Sequence, residues 1–246
     1  MLAKITKLTT EPSKYIPVVF RKIKQQITYL FQNRSFFLQG QMDIHPASGW
    51  HNAEFISQTG GFYLLSDDVN REVVNLEPWD NTRRDMLVLL LRMITNNNIL
   101  GDIAEVGVYR GNTAKLFHYF SPERTLHLFD TFQGFTERSV AVEKSKTHFQ
   151  ISKEQFADTS LELVKKNINS QNKNINYYTG YFPDTVTKKC KESVFAFVHL
   201  DADLYEPIFE GLEFFYPRLS KGGVIIVHDY NAWVGARNAV EDFFMD

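Results

Sequence analysis

The fold is decided by two stretches, Asp201-Ala202-Asp203-Leu204-Tyr205-Glu206-Pro207 and Val224-Ile225-Ile226-Val227-His228-Asp229-Tyr230. In both, an apolar run, residues 194–200 and 223–227, ends close to an acid. Unbroken apolar runs of this length are typical of parallel strands that are covered on both faces. Ligands of open α/β sheets bind at the carboxyl ends of such strands, so we expect Asp201 and Asp229 to point into one crevice.

Two carboxylates that face each other repel unless a cation or a proton lies between them. A hard divalent ion with oxygen ligands, such as Mg²⁺, explains the pair. The sequence therefore predicts a metal site at Asp201 and Asp229. The structural alternative for Asp201 is a helix N-cap, a role that suits Asp203 better.

A second pattern lies upstream, where a short strand at 103–107 contains Glu105 and Gly107 and is followed by Gly111. Gly107 permits a tight turn, and Gly111 permits a close approach of the backbone to a ligand. The spacing differs from the dinucleotide pattern G-x-G-x-x-G, and a plain strand–turn–helix is the alternative. The next strand ends in Asp130, the position where nucleotide-type cofactors have an acceptor for ribose hydroxyls. We predict that Asp130 binds a ribose, with capping of the next turn as the alternative.

The third predicted strand, residues 175–180, leads into Tyr181 and Phe182, which could flank an adenine ring. Core packing is an equal alternative for Phe182. Apolar residues at helical spacing predict helices between the strands, near 82–95, from Gly111 to about 119, and near 161–168, 207–216 and 235–244. The polar residues 136–156 are interpreted as a mobile insertion beside the site.

Residues 1–81 form a separate N-terminal segment, and a single domain is expected at 82–246. An amphipathic basic helix is predicted at 17–31, and the aromatic-rich stretch 35–80 is interpreted as a lid or a dimerisation region. Packing on the same chain or on a second subunit is the favoured role of the basic helix. Docking on an anionic membrane surface is the alternative.

Composition excludes several classes of function. The net charge is −2 and no long basic block occurs, which argues against nucleic acid as the main partner. No run of about 18 apolar residues is present, so no transmembrane segment is predicted. The one cysteine, Cys190, fits a reducing compartment, and we expect a cytoplasmic protein.

Taken together, the motifs resemble the macrocin O-methyltransferase family, class I S-adenosylmethionine enzymes that methylate sugar hydroxyls of natural products. The resemblance runs from about residue 82 to residue 244. It is carried by Glu105-Val106-Gly107-Val108-Tyr109-Arg110-Gly111, Phe129-Asp130-Thr131-Phe132-Gln133-Gly134-Phe135, Asp158-Thr159-Ser160-Leu161 with Val164 and Asn167, Gly180-Tyr181-Phe182-Pro183-Asp184-Thr185, Asp201-Ala202-Asp203-Leu204-Tyr205, and the segment from Tyr216-Pro217-Arg218-Leu219 through Gly222-Gly223 to Asp229-Tyr230.

The resemblance implies a Rossmann-like α/β sheet with helices on both faces. It implies that S-adenosylmethionine binds in the first half of the domain and that magnesium binds in the second half. The implied cofactor-binding residues are Glu105, Gly107, Tyr109, Gly111 and Thr113 around the amino-acid end, Asp130 at the ribose, and Gly180, Tyr181 and Phe182 near the adenine. Asp201 and Asp229 would hold the metal, and Asp201 is also the candidate catalytic base, with His199 and His228 as alternatives.

The sequence departs from the family pattern in two places. His228 stands where the family commonly has an acid, and imidazole is a poor magnesium ligand but a better ligand for transition metals. His228 is therefore a third candidate metal ligand, a base, or neither. The family fold also adds two strands after the helix that ends near residue 244, so without them we expect the strand 223–227 at an exposed sheet edge.

We therefore expect a divalent-metal-dependent O-methyltransferase that acts on a sugar or a glycosylated natural product, as a homo-oligomer. Two alternatives stay open. One is a methyltransferase with a catechol-like or lipid-linked acceptor, and the other is an inactive cofactor-binding module that serves a partner protein. A nicotinamide-dependent enzyme is disfavoured by the glycine spacing.

Overall fold

The computed structural model describes residue 76, residues 80–168 and residues 174–245, all within one compact unit that begins at Val73. The basic helix predicted at 17–31 lies outside the described residues, and so does nearly all of the segment 35–80. The predicted domain boundary at 81/82 stays a prediction.

Strands and helices alternate along the described chain, as the apolar patterns predict. The strands are β1 (Asp102–Val106), β2 (Leu126–Asp130), β3 (Ile175–Thr179), β4 (Phe195–Leu200) and β5 (Leu219–Val227). The helices are α1 (Asn81–Asn96), α2 (Asn112–Phe120), α3 (Glu137–Thr147), α4 (Leu161–Ile168), α5 (Lys188–Lys191), α6 (Tyr205–Phe215) and α7 (Val234–Met245), with a 3-10 turn at Tyr216–Arg218. No helix in this part of the chain is long and apolar enough to cross a membrane.

The five strands form one parallel sheet in the order β3-β2-β1-β4-β5. The chain moves outward from β1 to β3, then returns to the other side of β1 with β4. Such a reversal opens a crevice at the carboxyl ends of the strands, where ligands of α/β sheets bind. The predicted α/β architecture is confirmed. Among the described residues β5 pairs only with β4, as expected of an edge strand.

Helices cover both faces of the sheet. Successive side chains of a strand point to opposite faces, so a buried strand has apolar side chains to cover on each face. Val198 and Leu200 of β4 belong to the apolar core that includes helix α6. Phe197 and His199, which alternate with them, contact the ring of Phe117 on α2. All six residues of β4 are buried, so this strand is apolar on both faces apart from His199.

Residues 136–156 are not the mobile insertion that their polarity suggests, because helix α3 occupies 137–147. Thr136 accepts a hydrogen bond from the backbone N–H of Ser139 at 3.0 Å, which caps the helix. The buried carboxylate of Glu143 in turn accepts from the backbone N–H of Tyr205 at 2.8 Å. A polar side chain of α3 therefore satisfies the first turn of α6.

The prediction that Asp203 caps the helix after β4 is wrong. Helix α6 begins at Tyr205, and its N-cap residue is Leu204, which provides no side-chain hydrogen bond. Glu143 supplies the missing acceptor from a distant part of the chain, which leaves Asp203 free to face the crevice. Strand β5 also begins earlier than predicted, at Leu219 instead of residue 223.

Candidate active site

A cavity of about 360 Å³ opens at the carboxyl ends of the central strands. One part of its wall, here called the loop end, consists of Gly107, Val108, Tyr109 and Asp130. The opposite part, here called the acidic end, consists of Asp201, Asp203, His228 and Asp229. The two predicted halves of the site thus share one cavity.

Strand register brings the two ends together. Val106 of β1 pairs with Leu200 of β4, and Leu200 pairs with Val227 of β5. The next residue of each strand, Gly107, Asp201 and His228 respectively, therefore lies at the same edge. The backbone N–H of Asp201 donates to Val106 at 2.8 Å, and that of His228 donates to Leu200 at 2.9 Å. These bonds hold the ends of the three strands at a fixed spacing.

The three predicted metal ligands converge at the acidic end. Nδ1 of His228 lies 2.8 Å from Oδ1 of Asp201 and 2.8 Å from Oδ2 of Asp229. One ligand atom from each residue lies within 4.8 Å of the others. Asp201 and Asp229 face one crevice, as the topology predicts.

Arg83 of helix α1 also reaches the acidic end, which sequence reasoning missed. Its Nη1 donates to Oδ2 of Asp201 at 2.7 Å. Asp80, at the start of the same helix, has Oδ2 3.5 Å from Nε2 of His228. The pairing joins residues 118 positions apart, and no spacing in the sequence signals such a contact.

The charges at the acidic end shift one another's pKa values. Burial alone would raise the pKa of Asp201, but the adjacent imidazole of His228 and the nearby cationic groups hold it below its usual value. Burial likewise opposes a proton on His228, yet the surrounding carboxylates of Asp201, Asp229 and Asp80 raise its pKa to about 11. Burial and the neighbouring Asp201 and Asp229 raise the pKa of Asp203 to about 9. The cluster therefore attracts positive charge strongly.

The donor atoms fit a divalent cation. Nδ1 of His228 is buried and has no hydrogen bond of acceptable geometry among the described residues, although two carboxylate oxygens lie 2.8 Å away. Ligands at about 2.1 Å from an octahedral ion lie roughly 3 Å apart when they occupy adjacent corners. The two distances of 2.8 Å from Nδ1 of His228 are close to that value, and all three donor atoms lie within 4.8 Å of one another.

At the loop end, Gly107 is required by its surroundings. Its φ is +87°, and a Cβ atom there would lie 2.1 Å from the carbonyl oxygen of Asp201. Asp130 accepts hydrogen bonds from the backbone N–H groups of Val108 at 2.7 Å, Tyr109 at 2.8 Å and Phe132 at 2.6 Å. Asp130 thus shapes the loop in addition to lining the cavity, and its predicted role at a ribose stays a prediction.

Gly111 contacts another helix and is not part of the cavity wall. It is the N-cap of α2 with φ +80°, and an added Cβ would lie 2.9 Å from Cγ1 of Val164 on α4. Gly111 therefore permits close approach of helix α4, and its predicted role at the cofactor stays a prediction. Further bonds tie the loop to residues 158–167: Thr159 donates to the carbonyl of Tyr109, and Asn167 donates to the carbonyl of Arg110 at 2.8 Å.

Glu105 and His199 lie beneath the loop and do not line the cavity. Both are fully buried. Oε1 of Glu105 accepts a hydrogen bond from the hydroxyl of Thr113 and lies 2.9 Å from Nδ1 of His199. Thr113 does line the cavity, so Glu105 acts on the site through it. His199 is not positioned to take a proton from an acceptor, which removes it as an alternative base.

The predicted adenine-binding residues divide between the cavity and the core. Gly180 and Tyr181 line the cavity, and the ring of Tyr181 lies 4.5 Å from the guanidinium carbon of Arg138. Phe182 also borders the cavity but is only 4% exposed, and its ring stacks on Phe215 with centroids 5.6 Å apart. Core packing therefore accounts for most of the surface of Phe182.

A protein-family model described as macrocin-O-methyltransferase (TylF) matches residues 80–246, which include both ends of the cavity. The chain belongs to this family.

Three curated O-methyltransferases are similar to this chain over part of its length. A demethyldecarbamoylnovobiocin O-methyltransferase of Streptomyces niveus is 26% identical over 164 residues, which are 61% of this chain and 60% of that protein. An 8-demethyl-8-(2,3-dimethoxy-alpha-L-rhamnosyl)-tetracenomycin-C 4'-O-methyltransferase of Streptomyces olivaceus is 28% identical over 65% of this chain and 64% of that protein. A mycinamicin III 3''-O-methyltransferase of Micromonospora griseorubida is 29% identical over 60% of this chain and 61% of that protein. The matched region thus spans 60 to 64% of the length of these relatives.

Solved structures show the same fold. The O-methyltransferase NovP has a TM-score of 0.58 at 25% identity, with 65% of this chain and 70% of NovP covered. The calicheamicin methyltransferase CalS11 has a TM-score of 0.55 at 21% identity, with 77% of this chain and 81% of CalS11 covered. The second likeness concerns the fold alone.

Proposed function

We propose that this protein transfers a methyl group from S-adenosylmethionine to a hydroxyl of a sugar, or of the sugar part of a glycosylated natural product. The observation that carries the proposal is the single cavity that joins the loop end to the acidic end in a member of this family. Sugar acceptors are supported by the names of the similar proteins, one of which methylates a rhamnosyl 4' position.

The loop end is proposed to hold the cofactor. The carboxylate of Asp130 offers about four acceptor positions, and three backbone N–H groups use part of that capacity. The one position that remains suits a ribose hydroxyl. Gly107, Tyr109 and Thr113 would surround the amino-acid end, with Glu105 holding Thr113 from below. Gly180 and Tyr181 would border the adenine.

The acidic end is proposed to hold a divalent cation through Asp201, His228 and Asp229. When bound, such a cation would orient a sugar hydroxyl and lower its pKa. Asp201 is the residue proposed to accept the hydroxyl proton. The hydrogen bond from Arg83 to Oδ2 keeps Asp201 oriented, and its lowered pKa keeps the carboxylate ionised at neutral pH.

The sulfonium methyl of the cofactor is already activated, so the contribution of the protein is mainly positioning. Holding two reactants in line can supply about 7–11 kcal/mol of the barrier reduction. The register of β1, β4 and β5 provides this positioning, since it fixes Gly107, Asp201 and His228 at one edge. A cytoplasmic homo-oligomer completes the proposal, and the single, buried Cys190 is compatible with a reducing compartment.

Calorimetric titration with S-adenosylmethionine, followed by a methyl-transfer screen, tests the proposal. The screen contains glycosylated metabolites, catechols and lipid-linked sugars, each with and without added divalent metal. We expect cofactor binding and methylation of a sugar hydroxyl. Methylation of catechols alone would favour the alternative of a methyltransferase with a catechol-like acceptor. Cofactor binding without any methyl transfer would favour an inactive module. Absence of cofactor binding would refute the proposal.

A further inference from the structure

We propose that His228 is a direct ligand of the cation and that the acidic end selects a transition-metal ion, such as Mn²⁺ or Co²⁺, over Mg²⁺. The inference rests on the metal site of the proposed function and goes beyond it by naming the class of ion and the residue that selects it.

The position of His228 is fixed by the sheet, not by a flexible loop. Its backbone N–H donates to Leu200 at the end of β5, and its Nδ1 points between Asp201 and Asp229 at 2.8 Å from an oxygen of each. The opposite ring nitrogen, Nε2, lies 3.5 Å from Oδ2 of Asp80. A ligating imidazole commonly has a carboxylate near its other nitrogen, which keeps the proton there and leaves a lone pair for the metal. His228 has this arrangement.

One carboxylate oxygen at the acidic end is already engaged. Oδ2 of Asp201 is bonded to Arg83, which leaves Oδ1 of Asp201 to face a cation. Asp229 contributes Oδ2 on the other side of His228. The three donor atoms grouped around His228 are therefore one nitrogen and two oxygens, with the positive charge of Arg83 beside them.

This donor set favours transition metals. Mg²⁺ prefers oxygen ligands and binds mainly through charge, and the guanidinium of Arg83 lowers the net negative charge of the site. Imidazole nitrogen binds first-row transition metals well and Mg²⁺ poorly. Replacement of His228 by an acid would restore an all-oxygen set with one more negative charge.

The experiment measures coordination directly. The full chain is stripped with a chelator and loaded with Mn²⁺, and electron spin echo modulation detects any ¹⁴N bound to the ion. The matched variant His228→Asp has a carboxylate in place of the imidazole. We expect ¹⁴N modulation from the wild-type protein and none from His228→Asp. Circular dichroism checks that the variant is folded, although the wild-type spectrum alone already decides whether nitrogen is bound.

A competition titration measures selectivity. The ratio of the Mg²⁺ to the Mn²⁺ dissociation constant should fall in His228→Asp by roughly ten- to a hundred-fold, the size of effect that even supporting groups of a metal site have.

An unchanged ratio, or a wild-type spectrum without nitrogen coupling, would overturn the inference. Either result would mean that His228 sits between the carboxylates as an imidazolium. Cofactor binding and methyl transfer supported by Mg²⁺ would then leave the proposed function standing without this inference. Failure of cofactor binding with every metal would instead count against the proposed function itself.

Discussion

Asp201 makes two contacts that act on it in the same direction. Arg83 donates to Oδ2 at 2.7 Å, and Nδ1 of His228 lies 2.8 Å from Oδ1. Both neighbours favour the ionised carboxylate, so Asp201 is well suited to bind a cation and is a weak base by itself. Proton removal from an acceptor at Asp201 therefore depends on a hydroxyl that is acidified at the same site.

We expect Asp201→Asn to lower turnover by about 10²- to 10⁴-fold, the usual contribution of a general base. The affinity for S-adenosylmethionine should stay nearly unchanged, because the amide keeps the shape of the side chain and the loop end is intact. Turnover and calorimetric affinity are measured in parallel. Asp184→Asn, at an exposed acid away from the cavity, serves as the matched control. Equal loss of turnover and affinity in Asp201→Asn would show that the residue is structural.

Asp102, at the amino end of β1, makes a pH-dependent contribution to the stability of the domain. Its Oδ2 lies 3.0 Å from Nε2 of the buried His127, whose Nδ1 lies 2.8 Å from the hydroxyl of Tyr178. Burial by itself raises the pKa of Asp102, but His127, Ser193 and Thr125 together hold the pKa below its ordinary value of 3.8. A lowered native pKa means that the stabilisation is present above pH 3.8 and is lost as the pH falls through the native pKa.

Asp102→Asn should therefore lower the free energy of unfolding by about 1 kcal/mol at neutral pH, a modest value because the side chain is partly exposed. Urea unfolding from pH 7 to pH 3 measures the difference between wild type and variant. The difference should shrink toward the acid end of the series. A difference that stays constant with pH would mean that the ionised carboxylate of Asp102 is not its cause.

At the scale of elements, the two glycines of the loop after β1 differ in what they contact. A Cβ on Gly107 would meet the backbone carbonyl of Asp201 at 2.1 Å, whereas a Cβ on Gly111 would meet the side chain of Val164 at 2.9 Å. The backbone at Asp201 follows a strand that is paired on both sides, so it can shift less than the side chain of Val164. The sequence pattern marks both glycines but cannot show this difference, because both contacts are made with distant segments.

Gly111→Ala should cost about 1–2 kcal/mol of unfolding free energy, the penalty of a left-handed backbone for a residue with a Cβ. Gly107→Ala should cost clearly more and should also weaken cofactor binding, since the turn must move away from Asp201. Urea unfolding and calorimetry measure both variants. In a double-mutant cycle of Gly111→Ala with Val164→Ala, the coupling energy should equal only the part of the cost that is due to crowding. Equal costs for the two glycine variants would contradict the proposed difference.

Helix α3 shows where prediction from the pattern fails. Residues 136–156 have no apolar stripe, so periodicity predicts no helix there. The helix is instead held by the Thr136 cap and by buried polar contacts, of which the bond from Tyr205 to Glu143 is one. Such contacts join residues 62 positions apart and leave no local signal. Strands β1 to β5 were predictable because burial on both faces requires apolar residues throughout.

For the molecule as a whole, the convergence of Gly107, Asp201 and Asp229 was predictable, because parallel strands bring their carboxyl ends to one edge. The participation of Arg83 and Asp203 was not. Arg83 reaches Asp201 from a helix that precedes the sheet, and Asp203 lines the cavity while Glu143 accepts the hydrogen bond from the first turn of α6. Topology thus gives the location of a site more reliably than its full set of residues.

A ligand that binds the native state but not the unfolded state raises the stability of the whole domain. At a concentration of S-adenosylmethionine about 100 times its dissociation constant, the gain is about 2.7 kcal/mol. For a domain of this size the melting temperature should rise by roughly 5–10 °C. Differential scanning fluorimetry measures the shift.

Asp130→Ala is the matched variant for this measurement, and its shift on adding cofactor should be much smaller. The comparison uses the shift and not the melting temperature, because Asp130 also accepts three backbone hydrogen bonds. An equal shift in the two proteins would show that the cofactor binds away from the loop end.

The contact between Gly107 and the carbonyl of Asp201 limits how this scaffold can be re-engineered. In the proposed function, main-chain atoms at this contact set the spacing between the donor at the loop end and the acceptor at the acidic end, so side-chain exchange should change that spacing little. A larger or smaller acceptor has to be accommodated by substituting other cavity-lining side chains, for example Phe135 or Phe156. Libraries aimed at new acceptors should therefore randomise those side chains and leave the strand ends untouched.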